Sequence, residues 1–374
     1  MSLRVLQDPE MVKAPILASP GFAKKGLSDY HLDLARRCAG QCSYCSTAAT
    51  TPMRVHRERL KALALEQFGE AVDPTRDADI AIAWDADEVM RRLEAQLRGK
   101  PRGWLAGKVV MVSQLTDAFF GYPLASGLTR RALDAILASG VLAPVADKAP
   151  GRLRVLTKSD VVGRDTWVSY FKANAPHFVV GLSTGTLNDE WATRVERATS
   201  KPTARLRALR QLQDAGVPTF GMLCPIFPDA ATPRNLDALL DATRPELCET
   251  VWSEPYNDRD NWRAVRDGYE QGSFGHTWLT QVYECHSTSL WSDYAVALWE
   301  RITTRARRDG WAERHRYLLY EGDINQHHAP RLAGLDGVLL QSAPIVKGDR
   351  AGYSHNPHVA ALQRSADHGR VATT

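Results

Sequence analysis

Short apolar runs alternate with amphipathic segments along the middle of this chain. Six runs have the length and apolar content of buried strands: 29–35, 108–113, 153–157, 177–183, 217–224 and 249–253. Between them, apolar residues recur every three or four positions, which is the spacing of helices that cover a sheet with one face. Near-continuous apolar strands joined by such helices predict a parallel sheet with right-handed crossover connections.

Capping residues mark the ends of several predicted helices. Asp85 and Glu88 form a capping box at the start of one helix, and Gly99 ends it. Thr129 is predicted to cap a second helix, which Gly140 ends. Other helices are predicted at 57–68, within the long connection 46–85, at 203–215 and from 233 onward.

The order of these elements predicts an α/β fold. Six strand–helix units suit a partial (β/α)6 TIM-like barrel over 29–255, about three-quarters of the eight-unit barrel. Residues 1–28 form an N-terminal extension, and 256–374 form an α-rich C-terminal region that is expected to specify the substrate. Two late strand-like pieces follow at 317–320 and 338–341. In such sheets the ligand binds at the carboxyl ends of the strands.

Composition and charge narrow the function classes. The 374 residues are 44% hydrophobic and 24% charged, which excludes disordered, collagenous and disulfide-scaffold proteins. A net charge of +4 permits an anionic substrate without arguing for one. No run of eighteen apolar residues occurs, so no membrane partner is expected. Residues 1–13 lack the apolar core of a signal peptide, which predicts a cytoplasmic protein.

Three of the six cysteines lie within eight residues, at the end of the first predicted strand. Cys38, Cys42 and Cys45 have the spacing C-x3-C-x2-C. Three thiolates on one tight loop can bind three irons of a cubane cluster and leave the fourth iron open to a bidentate ligand. A structural zinc ion is the alternative, with His31 or His56 as fourth ligand, although neither has the usual spacing. Three unligated cysteines are the remaining alternative.

The cysteine motif, with Tyr44 as the aromatic residue before its last cysteine, resembles the signature of radical S-adenosylmethionine (SAM) enzymes. The resemblance implies a [4Fe-4S] cluster on Cys38, Cys42 and Cys45 whose open iron chelates the amine and carboxylate of SAM. It implies reductive cleavage of SAM to a 5′-deoxyadenosyl radical, which abstracts hydrogen from a substrate. The electron is expected from an external one-electron reductant of the flavodoxin or ferredoxin type.

Further segments resemble the spore photoproduct lyase-like branch of that family over 29–255. They lie at 113–117, 156–159, 183–184, 196–198, 205–218 and 225–228. Gln114 lies about where that branch has its hydrogen-donating cysteine, so the repair reaction of that branch is not expected to carry over unchanged. Cys224, at the end of the fifth strand, is a weak candidate for a hydrogen donor and otherwise a buried apolar residue. Glu254, after the sixth strand, is a weak catalytic candidate and otherwise a salt-bridge partner.

The resemblance also implies a set of cofactor-binding residues at the strand ends: Tyr44, Thr116, Asp117, Lys158, Ser183 and Thr184. Tyr44 corresponds to an aromatic residue near the adenine, and Lys158 to a lysine that meets the cofactor carboxylate. A lysine at the mouth of a barrel is costly to bury without an anion, which supports the role of Lys158. The alternatives for the others are ordinary packing, turn capping and strand-end capping.

The C-terminal third carries many aromatic and basic residues. Its tryptophans and tyrosines could stack on a flat substrate or pack against the barrel, and its arginines could meet phosphates or form a solvated helix face. The residues concerned include Trp252, Trp262, Trp278, Trp291, Trp299, Trp311, Arg301, Arg305, Arg308, Arg314 and Arg316. Substrate ligands or proton carriers could also come from a polar stretch with Glu321, Asp323, His327 and His328.

Three functions are therefore compatible with the sequence. The first is a radical SAM lyase or isomerase that acts on a nucleobase or nucleotide, in DNA for example. The second is a radical SAM enzyme that acts on a small metabolite or natural-product intermediate, which the position of Gln114 and the low net charge favour. The third is a zinc-stabilised binding module without enzymatic activity.

Overall fold

A computed structural model describes residues 4–10, 15–19, 26–77, 79–113, 116–258, 261–320, 328 and 338–341. These residues form a mixed α/β fold with a mostly parallel sheet, as the sequence predicted. None of the helices in this part of the chain combines the length and the apolar run that crossing a bilayer requires.

The strands are, in chain order, β1 (Arg4–Gln7), β2 (Leu17–Ala18), β3 (Tyr30–Leu32), β4 (Ala35–Arg37), β5 (Ile80–Ala83), β6 (Val109–Val112), β7 (Arg152–Thr157), β8 (Phe178–Leu182), β9 (Thr219–Ile226), β10 (Cys248–Pro255), β11 (His315–Tyr320) and β12 (Val338–Gln341). The helices are α1 (Thr51–Val55), α2 (Arg57–Phe68), α3 (Ala86–Arg98), α4 (Gly121–Ala125), α5 (Leu128–Ala138), α6 (Asp165–Ala173), α7 (Asp189–Val195), α8 (Pro202–Asp214), α9 (Pro233–Thr243), α10 (Trp262–Arg266), α11 (Phe274–Leu279) and α12 (Thr288–Arg308).

The chain divides into two compact units. The first comprises the described residues of Met1–Ser183, Asn188–Thr219 and Arg259–Val265. The second comprises the described residues of Thr184–Leu187, Phe220–Asp258 and Arg266–Thr374. The domain boundaries after residues 28 and 255 stay a prediction from the sequence.

In the first unit, β6, β7 and β8 form the parallel centre of a sheet. The order is β2-β3-β6-β7-β8, and each neighbouring pair is parallel except β2 with β3. Val112 is in register with Val155, and Thr157 with Leu182, so β6, β7 and β8 end at one edge of the sheet. Residues that follow these strands are therefore brought together at that edge.

The first predicted strand is divided between two sheets. β3 joins the sheet just described, whereas β4 pairs antiparallel with β5 in a second sheet of order β1-β5-β4. Neither β1 nor β5 was predicted. β4 leads directly into Cys38, so this small sheet positions the start of the cysteine segment.

Of the two predicted helix N-caps, the structure confirms Asp85 and contradicts Thr129. The Asp85 side chain accepts a hydrogen bond of 2.8 Å from the Glu88 amide and caps α3, as expected. The predicted cap at Thr129 is wrong, because α5 begins at Leu128 with Gly127 as its N-cap. The Thr129 hydroxyl is buried and donates to the carbonyl of Ala118 instead.

In the second unit the strand order is β9-β10-β11-β12, with β10, β11 and β12 parallel to one another. The tryptophans singled out from the sequence are buried in their units, at no more than 9% exposure: Trp252, Trp262, Trp278, Trp291, Trp299 and Trp311. Packing is therefore the role that the fold gives them, and none presents an open ring face for a base to stack on.

Candidate functional site

The cysteine segment forms one turn in the first unit. Cys38, Cys42 and Cys45 are free and half-buried, and the Cys45 amide donates to the carbonyl of Cys42 at 3.1 Å. A β-carbon placed on Gly40 would lie 3.6 Å from the Cys38 sulfur and 3.8 Å from the Cys42 sulfur. Two sulfur atoms therefore flank the same backbone position at ordinary van der Waals distance, and the nearest atom to such a β-carbon would be the Thr199 methyl carbon at 3.3 Å.

This cysteine loop is anchored to the chain segment that follows α7. The Ser43 amide donates to the carbonyl of Val195 at 2.8 Å, and Cys42 forms an antiparallel bridge with Glu196. The Ala198 amide donates to the carbonyl of Gly40 at 3.4 Å. Backbone hydrogen bonds thus hold the loop in place through a segment more than 150 residues distant in sequence.

Tyr44 connects the loop to a buried ion pair. Its hydroxyl donates to the carboxylate of Glu196, which also accepts from Arg205. Arg205 is 1% exposed, and it donates further to the carbonyls of Ser200 at 2.7 Å and Ser183 at 2.9 Å. Each of the three guanidinium nitrogens therefore donates at least one hydrogen bond, which fixes the group in one geometry.

Glu196 is ionised in this setting. Burial by itself would raise the pKa of its carboxyl group, but the charges of Arg205 and Lys158 and the hydrogen bonds it accepts outweigh that effect. The pKa of Glu196 is accordingly lowered from its ordinary value of 4.5.

Lys158, at the end of β7, places a cation next to the cysteine loop. Its ammonium nitrogen lies 5.3 Å from the centre of the Tyr44 ring, and the residue is half-buried. Among the described residues, no carboxylate lies within salt-bridge distance of this nitrogen. A half-buried ammonium without a carboxylate is available for an anionic ligand.

Asp117, after β6, is already engaged by its own chain. Its carboxylate accepts hydrogen bonds from the amides of Phe119 at 2.9 Å and Lys158 at 2.8 Å, and from the hydroxyl of Thr157 at 2.8 Å. Burial raises its pKa, against the lowering effect of these bonds. Of the two roles considered for Asp117, the observed contacts are those of a turn cap that connects β6 to β7.

Two hydroxyl groups close to Asp117 in sequence lack the hydrogen-bond partners that its carboxylate has. The side-chain oxygens of Ser113 and Thr116 are buried and have no hydrogen-bond partner among the described residues. Buried hydroxyl groups without partners are costly unless a ligand or water satisfies them. Gln114, between them, lies outside the described residues.

The other predicted site residues are divided between the units. Ser183 is buried in the first unit, where its amide donates to the carbonyl of Thr157 at 2.9 Å. Thr184 belongs to the second unit, and its buried hydroxyl has no partner in the described part of the chain. Cys224 in β9 is 8% exposed and Glu254 in β10 is half-buried, both in the second unit. Their catalytic roles stay predictions.

Burial changes the acidity of two of the three thiols. Burial raises the pKa of Cys38 to about 12, and the nearby Cys45 and Asp117 charges add to the rise. Burial raises the pKa of Cys42 as well. Cys38 and Cys42 are therefore protonated at neutral pH, and a bound metal centre would have to displace their protons.

A single zinc ion fits this arrangement less well. In the described part of the chain, no three His, Cys, Asp or Glu side chains are placed to hold one metal ion. Sulfur ligands of one zinc ion lie about 4 Å apart, since each Zn–S bond is about 2.3 Å. A four-iron cluster spaces its thiolates more widely, because each thiolate binds a different iron. His31, a suggested fourth zinc ligand, lies 3.6 Å from Asp33 instead.

Comparisons with known proteins give distant similarities. No protein-family model matches the sequence. The chain is 23% identical over 179 residues to the uncharacterized protein ORF301 of Acidianus two-tailed virus. That match covers 48% of this chain and 55% of the viral protein, so the chain spans about half the length of this relative.

Similar solved structures include spore photoproduct lyase, the branch that the sequence resembles. A cysteine-to-serine mutant of that enzyme has a TM-score of 0.45 and 15% identity, covering 73% of this chain and 69% of that one. The radical SAM methyltransferase TsrM from Kitasatospora setae, with tryptophan and a SAM analogue bound, has a TM-score of 0.42 and 12% identity. That likeness covers 91% of this chain and 62% of TsrM. Because these TM-scores are below 0.5, the assignment of the site depends on its own residues.

Glu196 and Arg205 were not among the predicted site residues. The sequence did contain a signal for Arg205, because it lies on the apolar stripe of α8 with Leu209 and Leu212. A charged residue on a buried helix face needs a charged partner, and the partner here is Glu196. Only the tertiary structure identifies that partner and connects it to Tyr44.

Two arginines of the basic stretch in the second unit contact carboxylates. Arg305 donates to Asp237 at 3.0 Å and also to Asp241 and Asp309, and Arg308 donates to Asp309 as well. The other three singled out from the sequence donate to neutral backbone carbonyls: Arg301 to that of Ala231, Arg314 to that of Glu246 and Arg316 to that of Glu313.

The last predicted polar group is described only at His328. Its Nδ1 is 2.8 Å from the Ser292 hydroxyl, and its Nε2 is 3.2 Å from Asp293. Glu321, Asp323 and His327 lie outside the described residues.

Proposed function

We propose that this protein is a radical SAM enzyme built on a partial (β/α)6 barrel, with a [4Fe-4S] cluster on Cys38, Cys42 and Cys45. The observation that carries the proposal is a juxtaposition within the first unit. Three half-buried free thiols share one loop, and the ammonium of Lys158 lies beside Tyr44 of that loop without a carboxylate partner among the described residues.

The bound cluster would supply the electron that cleaves SAM and so generates the 5′-deoxyadenosyl radical that takes hydrogen from the substrate. The electron would come from an external reductant of the flavodoxin or ferredoxin type. The protein's own part is to bind SAM, orient it and keep water away from the radical.

Side chains at the ends of β6 and β7 are suited to the methionyl part of SAM. Lys158 would bind the carboxylate, and the unpartnered hydroxyls of Ser113 and Thr116 would accept or donate hydrogen bonds to its polar groups. Asp117 would act indirectly, because it fixes the Lys158 backbone by a hydrogen bond of 2.8 Å. The bond from Tyr44 to Glu196 would hold the cysteine loop in register with these residues.

For the substrate, we favour a small metabolite or natural-product intermediate. The ion pairs of Arg305 with Asp237 and Asp241 support this, because a guanidinium paired with carboxylates has little net charge to offer phosphates. The buried tryptophans of the second unit support it too, since they offer no open stacking platform. A nucleobase or nucleotide in DNA is the competing substrate class.

Anaerobic reconstitution of the full chain with iron and sulfide tests the chemistry. We expect about four irons and four sulfides per chain. We also expect 5′-deoxyadenosine after addition of dithionite and SAM. Cys42→Ala should abolish its formation, whereas Cys248→Ala, at a buried cysteine outside the loop, should leave it unchanged. Zinc in place of iron, or iron without SAM cleavage, would support a metal-stabilised binding protein instead.

Binding to DNA tests the substrate class. Binding through phosphate contacts is recognised by an affinity that falls steeply between about 50 and 200 mM salt. We expect no such binding to single- or double-stranded DNA. Tight binding with such a slope, together with faster 5′-deoxyadenosine formation on addition of DNA, would favour the nucleic-acid substrate.

A further inference from the structure

Arg37 is a buried arginine directly before the first cysteine of the loop. It is the last residue of β4, and it is 9% exposed. Its Nη1 donates to the carbonyls of Pro74 at 2.6 Å and Asp77 at 2.7 Å, in the connection between α2 and β5. These bonds fix the guanidinium in a single position.

Arg37 forms no direct ion pair with the described residues. Within the described residues, no carboxylate lies within salt-bridge distance of its guanidinium, and its partners are neutral carbonyl groups. The preceding residue, Arg36, is equally buried, but its Nε lies 3.0 Å from the carboxylate of Asp8. Of the two adjacent arginines of β4, only Arg36 is therefore paired with a carboxylate.

The cysteine loop lies within electrostatic reach of Arg37. Burial lowers the pKa of Arg37, and the groups whose negative charge would oppose that effect are Cys45 and Cys38 first, followed by Asp77 and Asp73. Negative charge on the cysteine loop is accordingly the natural complement of this cation.

We infer that Arg37 is a fixed cation that raises the reduction potential of the iron–sulfur cluster held by Cys38, Cys42 and Cys45. The inference rests on the proposed function. Reduction adds one electron, and thus one negative charge, to the cluster. A nearby buried cation stabilises the reduced state more than the oxidised state, and the low dielectric of the interior strengthens this effect. Arg37 is on this view a positioning residue that makes electron entry easier.

Redox titration of the reconstituted full chain tests the inference, with dithionite as reductant and the electron paramagnetic resonance signal of the reduced cluster as readout. In Arg37→Gln we expect the reduced-to-oxidised ratio at a fixed potential to fall about tenfold, which is about 59 mV for a one-electron couple. Arg36→Gln is the matched control, because it removes an equally buried guanidinium whose charge Asp8 already opposes. Its midpoint potential should shift much less.

Arg37→Lys separates charge from structure. Lysine keeps the positive charge but cannot reproduce the fork of hydrogen bonds to Pro74 and Asp77. We therefore expect a midpoint potential close to that of the native protein, together with a lower unfolding temperature. If Arg37→Gln takes up no cluster, the titration is carried out on Arg37→Met, which also removes the charge and should show the same fall in potential.

Specific results would overturn the inference. It fails if cluster-loaded Arg37→Gln keeps the native potential, if Arg36→Gln shifts the potential equally, or if Arg37→Lys shifts it as far as Arg37→Gln. Failure of the proposed function is distinguishable, because the native chain itself would then take up no iron and sulfide, or would take them up without cleaving SAM.

Discussion

The hydroxyl of Tyr44 donates a hydrogen bond to the carboxylate of Glu196, 152 positions further along the chain. The same carboxylate forms an ion pair with Arg205, and both side chains of that pair are almost completely buried. One ionised group thus connects the cysteine loop to α8. Breaking the connection at either end should affect both the stability of the first unit and its ability to take up metal.

Tyr44→Phe removes only the hydroxyl group of this connection. A hydrogen bond to a charged acceptor contributes about 2 kcal/mol, so the free energy of unfolding in urea should fall by about that amount. Iron incorporation under limiting iron should also decrease. Tyr122→Phe is the control, because no hydrogen bond joins its hydroxyl to the described residues. Equal stability of the two variants would contradict a role for the Tyr44 hydroxyl.

Glu196→Gln leaves the buried guanidinium of Arg205 without a counter-charge. Such a loss costs about 3 to 5 kcal/mol of unfolding free energy. The double variant with Arg205→Met should be less destabilised than the sum of the single variants, since it leaves no unpaired charge. Additive effects in urea unfolding would show that the two side chains act independently.

The same pair predicts a pH dependence. The folded-state pKa of Glu196 is lowered from its ordinary value of 4.5, so its contribution to stability is fully present above pH 4.5. The contribution is lost as the pH falls below 4.5 and through the lowered pKa. The stability difference between the native chain and Glu196→Gln should therefore narrow on acidification, measured by urea unfolding at stepped pH. A constant difference would indicate that Glu196 is not ionised in the fold.

Lys158→Met tests the binding of SAM. A charge-assisted hydrogen bond contributes about 1.5 kcal/mol or more, so the Kd of SAM for the reconstituted protein should rise about tenfold or more. Lys158→Arg should retain part of the affinity because it keeps the charge. Lys172→Met, at an exposed position of α6, should bind SAM as the native protein does. Unchanged affinity in Lys158→Met would remove this residue from the cofactor site.

Gly185→Ala tests the close packing after Thr184 in the second unit. A β-carbon at Gly185 would lie 1.5 Å from the carbonyl oxygen of Pro225, so the backbone would have to move. We expect a loss of about 3 kcal/mol or more of unfolding free energy, or an insoluble protein. Gly99→Ala, where the nearest atom is 3.8 Å away, should change stability by less than about 1 kcal/mol. Comparable melting temperatures for both variants would show that this packing is not tight.

Much of the fold was predictable because its signals are local. The strands β6, β7, β8 and β9 fall within one or two residues of the apolar runs that predict them, and α2 and α3 match their predicted spans closely. The split between β3 and β4 was not predictable, because the run 29–35 is continuous in sequence. Which sheet each half joins depends on residues far away, namely Val110 and Ile82.

The sequence by itself determined the α/β class and the spacing of the three cysteines, because periodicity and spacing are properties of neighbouring residues. The tertiary structure decided which groups meet. It places Lys158 over the Tyr44 ring and joins the Tyr44 hydroxyl to Glu196. It also surrounds the Arg37 guanidinium with backbone carbonyls, and no carboxylate of the described residues is in contact with it. These relationships depend on contacts between residues far apart in the chain, and they determine the electrostatics on which cofactor binding and electron uptake depend.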